Sequence, residues 1–570
     1  MSHSFSSLLS PFHVSQHRFR GRAARATAKR ATASAGERSA SIRPRARRDA
    51  TRDYAVGFSP RGEMLRSSKH GASNSPRMSA SGDDEAEAME PLDTAELLPS
   101  SDKLGSKHQG VDWVATGFAF LFPAIAGLLF GWDIGSTSGA LTNIMDPVHS
   151  GTNWYALDPF QQGLVVSTSL AGALVASGAA AVSVGDALGS KRELLLASLF
   201  YAAGAAVQGA APSLEVLVVG RFTYGLGIGF AMHAAPMYIA ETAPSSVRGL
   251  LISLKEGFIV GGILFGYLGS YIINGEDDGW RTLLSSSIVL SGALALGMVR
   301  LPDSPRWLAQ QGRSDDARAA LVKVRGKRAT GDAFEAEVEA MTTSSHMSGA
   351  GGVSELFQKQ NLRPLYIGLS VVLFQQITGQ PSVLYYAEQV FEAAGYDSSQ
   401  GAGVSVILGS FKILMTGFAV KYVDTLGRRP LLLGGVAVMT LSTVALGLCF
   451  QTLTTADAAD APMTAQMSLV AIFMYVGAYQ VSFGPIAWLL VGEIFPQRVR
   501  SAAVGAATLT NFFSNFLVSL YLPTLINQFG TSGTYFLFSV CGVVAMSSIY
   551  LTVPETKGKT LEEIEDQMTK

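Results

Sequence analysis

WVATGFAFLFPAIAGLLFGWDIGSTSG, from Trp113 to Gly139, holds a single acid, Asp133, near the end of about 20 otherwise uncharged residues. A run of that length crosses a hydrocarbon layer of about 30 Å as one helix. A carboxylate at membrane depth costs about 2.5–3.5 kcal/mol on insertion scales, so such acids face a cavity or a partner and usually carry function. Asp133 is therefore the first candidate site residue. The plainer alternative is an acid at a helix end that touches water.

The whole chain agrees with a membrane reading. Of its 570 residues, 48% are hydrophobic and only 15% charged, with 60 glycines, outside the balance of a soluble globular protein. The formal net charge is −1, from 43 basic and 44 acidic residues, and nothing in their distribution suggests nucleic acid. The two cysteines, Cys449 and Cys541, lie inside apolar runs, which gives neither a metal spacing nor a disulfide framework.

Residues 1–78 are rich in Arg, Ser and Ala, with runs such as RFRGRAARATAKR, and read as a transit peptide without fixed structure. The alternative is an uncleaved basic tail. Residues 79–112 form an acidic, unstructured linker in which Asp93, Leu97 and Leu98 have the spacing of an acidic dileucine signal. Plastid targeting is the expectation, with a vacuolar address as the alternative.

From Trp113 onward about twelve apolar segments follow, near 113–137, 160–182, 193–211, 214–236, 251–274, 281–301, 361–388, 401–423, 430–452, 466–490, 501–523 and 532–552. They are numbered here as spans one to twelve. The fold class expected is all-α, with twelve transmembrane helices in two six-helix halves, 113–301 and 363–553. A polar loop, 302–362, separates the halves, and 554–570 is a tail. Within the loop, SDDARAALVKVR and DAFEAEVEAM have the spacing of short amphipathic helices.

Loop charge sets the orientation. Loops after the even spans from two to ten carry Lys191 and Arg192, Arg248, Arg306 and Arg313, Arg428 and Arg429, and Arg498 and Arg500. Loops after spans one, seven and nine carry no Lys or Arg, and the one after span five is NGEDDG. The basic side is then the cytosol-like side, with both termini and the central loop on it.

The halves also resemble each other. Asp186, Gly189, Lys191 and Arg192 recur as Asp424, Gly427, Arg428 and Arg429, and Glu241 seven residues before Arg248 recurs as Glu493 seven residues before Arg500. Two similar halves around a central site is a plan for transporters in which one half rocks against the other. The repeated turn lets acids and bases pair with one another and with helix ends. Asp186, Arg192, Glu241, Arg248, Asp424, Arg428, Arg429, Glu493 and Arg500 are therefore candidates for a conformational latch, each pair worth at most about 1 kcal/mol. Positive-inside anchoring alone is the alternative.

These residues resemble a family. GLLFGWDIG (127–135), GRFTYGLGIG (220–229), PMYIAETAPSSVRG (236–249), PDSPRWL (302–308), QQITGQPSVLYY (375–386), DTLGRRP (424–430), GPIAWLLVGEIFPQRVR (484–500) and PETKGKTLEEIE (554–565) are similar to the sugar porters of the major facilitator superfamily. The likeness is strongest to the plant and algal xylose–proton symporter-like group, which has plastid and vacuolar members. It implies the major facilitator fold and a monosaccharide substrate. It also implies that Asp133 couples protons, with Arg221 in span four as its partner. By the same resemblance Gln375 and Gln376 in span seven, Trp488 in span ten and Asn511 in span eleven face the sugar, with Gly484 giving room beside the tryptophan. Amides match hydroxyls as donor and acceptor, and an aromatic face packs on a sugar ring. Adjacent glutamines diverge by about 100° on a helix, and Gly379 and Pro381 permit the break that would let both reach one cavity.

The chain departs from the family pattern at three places. Pro381 stands where many members have asparagine, with Gln380 beside it. Glu256, after Lys255, stands where they have glutamine, and Lys412 lies within span eight. The first basic turn departs as well, with Ser190 in place of an arginine. Glu256 is taken to face the sugar, or else to titrate or to pair with Lys255 or Lys412. The expectation is a monomeric hexose or pentose transporter in a lipid bilayer of the plastid envelope. Its only coupling species is a proton; it has no metal, no organic cofactor and no enzymatic activity. A passive facilitator and a transporter-like sugar sensor are the alternatives, the sensor being disfavoured by a tail of under twenty residues.

Overall fold

A computed structural model describes residues 111–181, 185–326, 332–347, 353–455, 462–496 and 498–569. The expected transit peptide and all but the last two residues of the acidic linker lie outside the described residues, as do the side chains of Asp186 and Asp424. Among the described residues every regular element is helical. That follows from the solvent, since a span in hydrocarbon must satisfy its backbone internally.

Nine stretches among the described residues are long and apolar enough to cross a membrane. The longest, Arg500–Thr552, contains spans eleven and twelve, divided at Gly530, whose φ of +72° suits glycine. Ser190–Gly209 holds span three. The series Leu362–Ile377, Gln380–Tyr385 and Ala387–Ala393 holds span seven. A helix or broken helix thus occupies each expected segment. Span two starts on a capping box, where Asp158 accepts from the Gln161 N–H at 2.8 Å and Gln161 answers the Asp158 N–H at 2.9 Å. Asp397 and Gln400 repeat this device at span eight. In the central loop, Ser314–Arg325 and Asp332–Met347 are the expected short helices. Arg325 fastens them to the first half by donating to the carbonyls of Thr242 and Ala243 and pairing with Glu337.

Glycines set the distance between spans one and five. A Cβ on Gly131 would fall 1.9 Å from the Ile259 carbonyl oxygen, and one on Gly135 2.3 Å from that of Ile263. From the other side, one on Gly262 would lie 2.1 Å from the Leu128 oxygen. Backbones this close gain dispersion contacts along their length, the usual source of helix association in lipid. Spans one and five therefore form one rigid pair, and Asp133 stands on it.

The two halves meet most firmly at the end of the neutral and acidic loops. Tyr267 of span five donates to the Leu384 carbonyl at 2.7 Å, and Asn274 to that of Ser398 at 3.0 Å. Gln389 donates to Thr142 Oγ1 at 2.7 Å and to the Ser138 carbonyl at 3.2 Å. At that end span two also approaches span eleven, where a Cβ on Gly163 would sit 1.9 Å from the Leu520 carbonyl oxygen.

Candidate functional site

Asp133 lies within the first half, 2% exposed, near the middle of the Trp113–Met145 helix. Arg221, 1% exposed, donates from Nη1 to Asp133 Oδ1 at 3.1 Å and from Nη2 to Oδ2 at 3.4 Å. Ser169 of span two donates to Asp133 Oδ2 at 2.9 Å and accepts from Arg221 Nη2 at 3.0 Å. The guanidinium also donates to the Val166 carbonyl at 3.3 Å and to Gln208 Oε1 at 3.5 Å, while its Nε is buried without a partner. Spans one to four thus each supply one part of a buried charged cluster. Breaking such a pair from one side leaves an uncompensated charge, which costs about 3–5 kcal/mol.

Span seven supplies the second group. Its first helix ends at Ile377, Gly379 takes φ +103°, and a new helix begins at Gln380 with Pro381 in its first turn. Gln375, before the break, donates to the Phe483 carbonyl at 2.8 Å and accepts from Asn511 Nδ2 at 3.0 Å. Gln376 is 4% exposed, and its side-chain oxygen is buried without a hydrogen-bond partner. An orphaned acceptor of this kind costs about 1–3 kcal/mol unless something donates to it. A sugar hydroxyl is such a donor. Gln380, after the break, is half-buried and lines a small cavity with Lys412, Tyr475 and Tyr479. Trp488 is half-buried against the main core.

The remaining expected residues divide. Glu256 is 53% exposed and pairs with Lys255 at 2.8 Å. Lys412 instead donates to Gln480 at 2.7 Å and sits 5.2 Å from the Tyr479 ring centre. At Gly484 the atoms nearest to an added Cβ belong to Tyr479 and Gln480, at 3.4–3.6 Å, an ordinary contact and not the side of Trp488.

The latch candidates form ties inside each half. Arg428 pairs with Glu493 at 2.9 Å, and Thr556 donates to the other oxygen of Glu493 at 2.6 Å. In the first half Ser190 donates to Glu241 at 3.1 Å. Structurally, then, Ser190 answers Arg428, as expected of a serine standing in place of an arginine in the first basic turn. Arg429 donates to the Tyr550 carbonyl, Arg500 to that of Phe495, and Arg192 lies 5.4 Å from the Trp307 ring centre. Arg248 begins the span-five helix. The backbone N–H groups of Arg428 and Arg429, at the start of span nine, donate to Glu555 at 3.1 Å each. Burial pushes this carboxyl up, but these bonds and those of Lys557 and Thr556 outweigh it and hold it below its ordinary value.

Sequence reasoning passed over Ser169 and Gln208, which complete the charged cluster, and Glu388, 2% exposed and bonded to Ser270 of the other half. For Glu388 a signal was present, an acid among apolar residues at the end of span seven. For a serine in a span rich in small residues there was none.

A two-half helical bundle with a broken helix beside a buried acid and arginine defines a polytopic membrane transporter of the major facilitator class. Solved structures agree: the partially occluded, inward-open xylose transporter XylE from E. coli superposes with TM-score 0.66 at 27% identity over 78% of this chain and 100% of that one. The proton:xylose symporter XylE bound to 6-bromo-6-deoxy-D-glucose gives TM-score 0.64 at 27% identity, over 80% and 99%. The family model "Sugar (and other) transporter" matches residues 119–568, and the chain belongs to that family. Among curated relatives, D-xylose-proton symporter-like 3, chloroplastic, of Arabidopsis thaliana is 46% identical over 479 residues, 81% of this chain and 84% of the relative.

Proposed function

We propose that the protein carries a monosaccharide, a hexose or pentose, across an organelle membrane by alternating access, together with a proton bound at Asp133. The observation that carries this reading is the carboxyl itself, 2% exposed and held by Arg221 and Ser169 on the rigid pair of spans one and five. An ionised acid there is stable while the guanidinium faces it, and a protonated one when that interaction weakens. Relatives named as proton symporters of xylose support it, as does the family. Gln375, Gln376, Gln380, Trp488, Asn511 and Glu256 take the sugar, and the ties of Arg428, Glu493, Glu241 and their neighbours hold the basic end within each half.

The deciding experiment is uptake of a radiolabelled sugar panel by purified protein in liposomes, with and without an imposed pH gradient. Accumulation that an uncoupler collapses supports symport; uptake that only equilibrates identifies a passive facilitator, and sugar binding without uptake a sensor. At Gln376→Ala the lost hydrogen bond, about 1–1.5 kcal/mol, should raise the apparent KM about tenfold. The maximal exchange rate should stay within about threefold in the same assay. An unchanged KM would remove Gln376 from the sugar site. We place the protein in the plastid envelope, in line with the composition of residues 1–78 and with the relative named chloroplastic. Residues 1–110 fused to a fluorescent protein should direct it to plastids, whereas vacuolar or cytosolic fluorescence would reject that address.

A further inference from the structure

Glu388 belongs to neither the charged cluster nor the sugar residues, yet it is 2% exposed at the seam between the halves. Its carboxyl oxygen Oε1 is hydrogen-bonded to the Ser270 hydroxyl of span five. Its backbone N–H donates to Ser138 Oγ of span one at 3.1 Å. A Cβ on Gly139 would lie 3.0 Å from the same carboxyl, so span one presses on it directly. The next residue, Gln389, adds two bonds to span one. Here the second half is fastened to the first at the end of the neutral and acidic loops.

The charges around it have one sign. Glu392 lies one turn further along the same helix, and Asp146, which caps span one, is within electrostatic reach of Glu392. Span five offers Tyr267, whose hydroxyl is already spent on the Leu384 carbonyl, and span eight offers the backbone at Gly401. No Lys, Arg or His forms an ion pair with Glu388 among the described residues. His149 pairs with Asp277, and both sit on first-half loops, so that pair does not bridge the seam. The hydroxyls of Ser270 and Thr142 bond the carboxyl, but no cation faces it and Glu392 repels it, so closing the seam over it favours the neutral acid, which keeps the bond to Ser270.

We propose that Glu388 is a positioning residue that makes closure of the non-cytosolic end proton-linked: it takes up a proton as the halves meet there and releases it to the same side as they part. The proton is only bound and released, separately from the one on Asp133. The proposal rests on the alternating-access reading above and gives that reading a pH dependence independent of coupling.

The test places spin labels at Val148 and Phe529, which are 73% and 61% exposed and lie on either half, with Cys449 and Cys541 replaced by serine. Distances are measured in liposomes in an Asp133→Asn background, which removes the other acid. Raising the pH from about 5 to 9 should shift the closed-to-open ratio at least tenfold toward open. Glu388→Gln, which cannot ionise, should stay closed throughout, and Glu388→Asp should restore a pH-dependent ratio. A Glu388→Gln profile matching its parent overturns the proposal. So does a parent ratio that responds to sugar and not to pH, which leaves alternating access standing. A distance that responds to neither overturns both.

Discussion

In liposomes under a pH gradient of one unit, Asp133→Asn is expected to bring sugar accumulation down from a ceiling of about tenfold to none, while sugar exchange between the two sides persists. The ceiling follows because one proton per sugar across one pH unit supplies about 1.4 kcal/mol, a factor of ten. Asparagine cannot carry the proton, so the gradient loses its handle on the sugar. It keeps a carbonyl oxygen for Arg221 and, being neutral, resembles the protonated carrier that exchanges sugar. The guanidinium then lacks its counter-charge, and a buried charge left alone costs about 3–5 kcal/mol. The bonds from Gln208, Val166 and Ser169 offset part of that. A lowered melting temperature should therefore accompany the variant. Accumulation by Asp133→Asn at the parent's level would sink the coupling role.

The second large effect concerns shape. Gly163→Val should reduce transport at least a hundredfold with little loss of folded protein. A Cβ at this position falls 1.9 Å from the Leu520 carbonyl oxygen, and backbone on both sides leaves nothing that can swing away. Because spans two and eleven belong to different halves, the clash is relieved by parting them at that end, without unfolding either. The variant should bind sugar from the non-cytosolic side and fail to release it on the other. Transport above one tenth of the parent's rate would mean that this approach is not required for turnover.

Much of this architecture could be read in advance, and the reasons are physical. Apolar length is demanded by the bilayer, so the spans and the two halves stand in the letters. The period of four from Gly127 through Gly131 and Gly135 to Gly139, which sequence reasoning passed over, marks the face packed against span five. The partnership of Asp133 with Arg221 came from the family pattern. Ser169 came from nothing, because a serine in a helix of small residues has no spacing that sets it apart. Glu388 was hidden by position: an acid at the end of a span reads as a solvated one until the fold shows another helix lying over it. Ser190 in the arginine's place could be read from the repeat, and it does with a hydroxyl what Arg428 does with a guanidinium.

Asp133, Ser169, Gln208 and Arg221 come from spans one to four, so all four ride on the same half. Tilting one half as a solid piece cannot pull the acid from its arginine. The proposed switch between holding and shedding a proton would therefore come from what the opposite half uncovers. That half places Tyr385 of span seven there, whose buried hydroxyl has no hydrogen-bond partner and lies within electrostatic reach of the acid. A thread of water admitted or shut off past that ring would let a proton reach the acid and loosen the guanidinium's hold on it without any movement of the helices that carry the pair.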